Sequence, residues 1–195
     1  MATYNTLSAI EFFGKHSVII DKLSASNEEL KFGVTNPPLF TRVLDTFLIA
    51  GLIGIINNRT STIDKTGPER TRIFTETVQR NSQYIDFFAA IPIILTQNMC
   101  HVTDIKRAFF CETNEEENYM LSRNRLFYEY ALGGLELLEE KVLKSNSAAS
   151  INPLEVFENL EQYLKELEDK FKAENDFADH DLILNATELD FSDIE

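Results

Sequence analysis

The stretch from Asn36 to Asn58, NPPLFTRVLDTFLIAGLIGIINN, leaves the chain few choices of fold. Leu39, Phe40, Val43, Leu44, Phe47, Leu48, Leu52, Ile55 and Ile56 recur at helical spacing, and the only charges are Arg42 and Asp45. A helix apolar on nearly every side is stable only where other elements cover it. Pro37 and Pro38 suit a first helical turn, which needs no backbone N–H, and Asn36 or Thr35 can cap it. The expectation is a buried central helix over about 37–57. Three or four others wrap it in an all-α, irregular helical bundle with an acidic C-terminal segment.

The chain has 195 residues, enough for one ordinary domain with a real core. With 15 Phe and no Trp, phenylalanine must fill much of that core. The longest uncharged apolar runs, 46–56 and 87–95, fall short of the roughly 20 residues of a membrane span. The N-terminus MATYNTLSAIEFF has neither a basic region nor a long apolar run, so no secretory signal is expected. Cys100 and Cys111 are too few for a disulfide framework and read as reduced thiols in a cytoplasmic protein. A net charge of −14 disfavours nonspecific binding to nucleic acid or anionic membrane and favours basic or protein partners.

Around the central helix the pattern predicts further helices. Leu7–Leu23 reads as one, although Gly14 and the β-branched run Val18-Ile19-Ile20 weaken it. Residues 57–68 form a loop punctuated by Gly67-Pro68. Glu69 to about Leu95 reads as a second long helix, with Pro92 expected to kink or interrupt it. A short helix capped by Thr103-Asp104 and a third long helix from Glu115 to Leu143 follow. In the third, Glu136, Glu139 and Glu140 are assigned to the solvent face.

After the polar linker SNSAAS, Asn152-Pro153 starts a last helix. Its Phe157, Leu160, Leu164, Leu167 and Phe171 follow an a/d pattern, which suits packing on the domain or a modest homo-oligomeric interface through 153–171. The domain reading is a helical body over 1–172 and an acidic docking segment over 173–195.

Four local features bear on function. Gly51 and Gly54 cost about 1 kcal/mol each relative to alanine in mid-helix. That cost points to close approach of another backbone, for which Gly133 and Gly134 are the matching surface, or of a ligand. Arg42 and Asp45, three apart, can pair on one face and orient a partner at an interface, or simply face solvent. Arg59, Lys65, Arg70, Arg72 and Arg80 lie within a region, 31–107, that has nine basic against six acidic residues. They are the candidate nucleic-acid contacts, positioning a phosphate backbone without reading sequence. The competing reading is a solvated loop or an intramolecular partner for the acidic tail. That tail, 173–195, has eight acidic residues and no Lys or Arg. Its Phe177, Asp181, Leu182, Leu184, Leu189, Asp190 and Phe191 are the candidate partner-binding residues, suited to a basic, apolar-grooved protein.

Chemistry-bearing residues are sparse. Cys100, His101 and Cys111, with His16 and His180 far off in sequence, lack the paired spacing of a structural zinc site. Cys111 has no adjacent activating histidine. The expectation is therefore no catalytic residue, no metal and no cofactor.

The segment FGVTNPPLFTRVLDTFLIAGLIGIINNR, with the later ALGGLELLEEKVL, resembles small helical accessory proteins encoded beside bacterial DNA-defence or mobile-element genes, over roughly residues 32–143. The resemblance implies a protein that works with larger enzymatic subunits and assigns no residue a role. The leading expectation is a non-enzymatic interaction subunit, an accessory or regulatory component of a bacterial multiprotein complex, with anti-phage defence as the candidate setting. The alternatives are a nucleic-acid-contacting accessory protein, an acidic mimic that occupies a DNA-binding groove on another protein, and an enzyme whose site is assembled from scattered residues.

Overall fold

The computed structural model describes residues 9–24, 38–96, 114–144 and 153–185. Among them the chain is mostly helical, with one small sheet. The order is β1 (Ile10–Phe13), α1 (Gly14–Leu23), α2 (Val43–Ile56), β2 (Arg70–Ile73), α3 (Thr75–Arg80), α4 (Ser82–Thr96), α5 (Asn114–Leu138), a π-helical turn (Glu139–Leu143) and α6 (Pro153–Asn185).

The central helix lies where its apolar period puts it, and Leu44, Phe47, Ala50, Ile53 and Ile55 on it are buried. Its entry differs from expectation. Pro38 precedes the helix, and Phe40 donates its backbone N–H to the Leu23 carbonyl at 2.9 Å. Arg42, in extended conformation, is the N-cap residue. The Arg42 guanidinium forks onto Asp45 at 2.6 and 2.8 Å, and Asp45 in the first turn also suits the positive end of the helix dipole.

Two expected helices begin as strands, so the all-α expectation is corrected to a mostly helical fold with a two-stranded sheet. Ile10–Phe13 pairs antiparallel with Arg70–Ile73, Ile10 opposite Ile73 and Phe13 opposite Arg70. The alternation that drives this is short but clean: Phe12 and Ile73 turn into the core, while Arg70 and Arg72 face out. Gly14, at φ 53°, then turns the chain from strand into α1, and a Cβ there would strike Asp64 and the Thr66 carbonyl. The Val18-Ile19-Ile20 run is nonetheless helical, because Ile19, Ile20 and Leu23 bury fully and packing outweighs propensity. The predicted 69–95 helix becomes β2, α3 and α4, and α4 runs through Pro92 without ending there.

Helix α5 crosses α2 at the glycines. A Cβ on Gly134 would overlap the Ala50 carbonyl oxygen, and one on Gly54 would overlap that of Tyr130. Gly51 gives room to the Phe127 ring, and Gly133 admits the Arg59 carbonyl. Around the crossing Phe47 meets Phe127 edge-to-face at 5.2 Å and Phe12 at 5.8 Å. The Tyr128 hydroxyl donates to the Glu11 carbonyl and fastens β1 to α5.

The last helix starts at Pro153 as its sequence predicts, and its backbone continues without a break past residue 173. Buried Asn159 caps the preceding π turn: its amide donates to the Val142 carbonyl at 3.1 Å and its oxygen accepts from Lys144 at 2.5 Å. Tyr163 and Leu167 are buried beside it. No helix of the described residues is long and apolar enough to cross a membrane.

Candidate functional site

The densest polar cluster is centred on Glu136, one turn beyond Gly133 in α5. Because Gly133 lets the Arg59 backbone lie against α5, the connection between α2 and β2 is carried past Glu136. The Ser61 backbone N–H then bonds the Glu129 carbonyl at 2.9 Å, and the Ser61 hydroxyl donates to Glu136 at 2.5 Å. From α1, Lys15 reaches the same carboxylate at 2.8 Å and the His16 ring at 3.1 Å. Arg59 spans Glu136 at 3.5 Å and Glu140 at 3.1 Å. An open cleft of about 460 Å³ is lined by Lys15, Arg59, Glu136, Glu139, Glu140 and Lys144. The expectation that Glu136 faces solvent is corrected: its side chain is only 18% exposed.

The electrostatics follow from this packing. Burial works against charge on Glu136, but hydrogen bonds from Lys15, Ser61 and His16 outweigh it and hold the carboxyl at about 2. Asp64 is also held at about 2, by the Thr66 hydroxyl first and then by the Lys15 and Thr66 backbone N–H groups. His16 is fully buried, and burial pushes it below its ordinary value despite the Glu136 bond.

The order of groups limits what this cluster does chemically. The carboxylate sits between serine and histidine, so Ser61 donates to Glu136 and not to a histidine base. Each cation of the cleft already bonds within the chain: Lys15 and Arg59 to glutamates, Lys144 to Asn159. No group of three or more metal-ligating side chains occurs among the described residues.

The five candidate nucleic-acid contacts do not form one free patch. Arg59 belongs to the Glu136 network. Arg70 pairs with Glu11 and lies over the Phe13 ring at 5.3 Å, and Arg72 lies over Phe74 at 4.6 Å. Lys65 and Arg80 are exposed. Cys100, His101 and Cys111 lie outside the described residues, as do Leu189, Asp190 and Phe191. Phe177, Asp181, Leu182 and Leu184 fall on the backbone of α6, but their side chains lie outside the described set.

The a/d pattern of α6 divides between two faces. Leu160 and Leu167 turn to the body, while Phe157 and Leu164, seven residues apart, are 49% and 50% exposed. The rim beside them carries Glu158, Glu161, Lys165, Glu168 and Lys172, partly joined in pairs along the helix.

A buried cation escaped the sequence reading. Arg123 is fully buried and bonds Asp86 of α4 at 2.5 Å, tying α4 to α5. Its spacing was the available signal, because it stands four and seven residues before Phe127 and Tyr130, on the inner face.

Comparison with protein-family models, curated proteins and solved structures found no match.

Proposed function

We propose that the protein is a non-enzymatic interaction subunit, an accessory or regulatory component of a bacterial multiprotein complex, and that α6 is its docking element. The observation that supports this is the outward face of α6. Phe157 and Leu164 stand half-exposed on a helix whose residues 153–172 carry six acidic side chains against three lysines. The chain beyond, 173–195, adds eight acidic residues and no Lys or Arg. An apolar ridge on a helix of net negative charge fits a partner protein whose apolar groove is bordered by lysine and arginine. The same charge disfavours a second copy of this chain as occupant. The link to defence systems rests on the resemblance of residues 32–143 alone.

The nucleic-acid alternative is weaker because Arg59, Arg70 and Arg72 are engaged within the chain. The test is affinity purification of the full chain from its native cell, beside Phe157→Glu/Leu164→Glu and a chain ending at residue 172. Both residues are exposed, so circular dichroism should be unchanged in the double variant. A co-purifying protein that is lost in the double variant and weakened by salt supports the reading. Its retention in both altered chains would overturn it.

A further inference from the structure

We propose that His16 is an acid-sensitive latch that holds α1 against α5 while the imidazole is neutral and lets α1 open when it is protonated. The ring is fully buried at the start of α1. Its Nε2–H donates to Glu136, while Nδ1 is buried with no hydrogen-bond partner. In the neutral ring, that nitrogen is an unpaired acceptor, which the fold tolerates. Protonation converts it into a charged N–H donor with no acceptor within reach, and a buried charged donor is costly to leave unpaired.

The surroundings decide the sign. The charged groups acting on the ring are Glu136 from α5, Asp64 from the α2–β2 connection and Lys15 from α1 itself, while Arg59 of that connection reaches the other oxygen of Glu136. From β2, Thr71 meets α1 through Ser17 and Asp21. From α2, Thr46 meets the Ser24 cap at 2.9 Å. Glu136 would favour an imidazolium, but its charge is already shared with Lys15, Ser61 and Arg59. Desolvation is the larger effect, so the folded chain prefers the neutral ring. A histidine whose folded value lies below its unfolded one contributes stability above about pH 6.5, and that contribution is lost as pH falls toward the folded value. Glu136 and Asp64, both held at about 2, keep their charge throughout this window.

The consequence is local. Helix α1 packs on α2, α5 and β2, and Ile19, Ile20 and Leu23 bury their side chains in the common core. An opened α1 uncovers apolar surface on α2 and α5.

The test uses the full chain. The C2–H signals of its three histidines are followed by NMR from pH 8 to 4.5, with His16→Gln giving the assignment. Amide exchange of residues 14–23 is followed over the same range, corrected for intrinsic rates. His16 should titrate below 6.5, and exchange in α1 should rise by up to about tenfold per pH unit between the two values. The buried segments of α2 and α5 should respond less, and His16→Gln should abolish the α1 response. Glu136→Gln should extend it to lower pH, since the anion bonded to the ring, which favours the imidazolium, is gone. If His16→Gln does not fold, the wild-type titration and exchange decide alone. A His16 midpoint at or above 6.5, or exchange that rises no more in α1 than in α5, would overturn the proposal.

Discussion

Replacing Gly134 with alanine sets packing against helix propensity, and the two predict opposite signs. Propensity alone makes the variant more stable by about 1 kcal/mol, because alanine is the better helix former. The structure predicts the reverse. The added Cβ would overlap the Ala50 carbonyl oxygen and stand 3.0 Å from the Gly54 nitrogen, both backbone atoms of the facing helix. Nothing there can rotate away, so α2 and α5 must separate. That separation loosens the Phe47–Phe127 edge-to-face contact and the packing of Ala50, Ala131 and Leu135. Overpacking costs about 1–3 kcal/mol, and a clash on backbone belongs at the upper end. After the propensity gain, the net loss is roughly 2 kcal/mol, or a fall of about 4–8 °C in Tm for a chain of this size. Gly54→Ala, which meets the Tyr130 carbonyl, should behave alike. Gly51→Ala meets only the Phe127 ring, which can shift, and should cost less. Thermal and urea unfolding of the three variants measures the order. A Gly134→Ala protein as stable as wild type, or more so, would refute the reasoning.

Asp86→Ala should destabilise by roughly 2–3 kcal/mol in urea unfolding, since it leaves Arg123 buried without its carboxylate; the third of Asp86 that is exposed keeps this below the about 3–5 kcal/mol of a fully buried pair. Glu136 sits below its ordinary value, so its contribution to stability is present above pH 4.5 and is lost as pH falls toward about 2. Glu136→Gln should therefore be less stable at neutral pH, and its Tm should fall less than that of wild type between pH 5 and 2. Asn159→Ala removes two hydrogen bonds that hold α6 to the π turn, and should raise amide exchange in residues 154–167 before that of α5.

What the sequence made legible follows from distance along the chain. The central helix, the third long helix and the proline-led start of α6 are local patterns, visible within a few turns. The glycine pairs were legible because each costs helix stability that only a close crossing returns. The sheet was not, since each strand is four residues long and its partner lies some sixty residues away. The entry to α2 misled because proline serves a strand-like lead-in as readily as a first turn, and the Phe40 bond to Leu23 decided it. Glu136 looked like one more carboxylate on a charged face. Its neighbours Lys15, His16, Arg59 and Ser61 come from two other parts of the chain, and only Gly133 one turn earlier hinted that another backbone lay close. The separation of Phe157 and Leu164 from Leu160 and Leu167 needed the rotation of α6 about its axis, which Asn159 and Tyr163 set by bonding the π turn and Asn57.

The most direct test of α6 as a docking element is amide exchange of the full chain with and without its purified partner. Protection should concentrate over residues 154–172 and their continuation to 185, with little change around Glu136. Protection centred on residues 59–72, with α6 unaffected, would contradict the account.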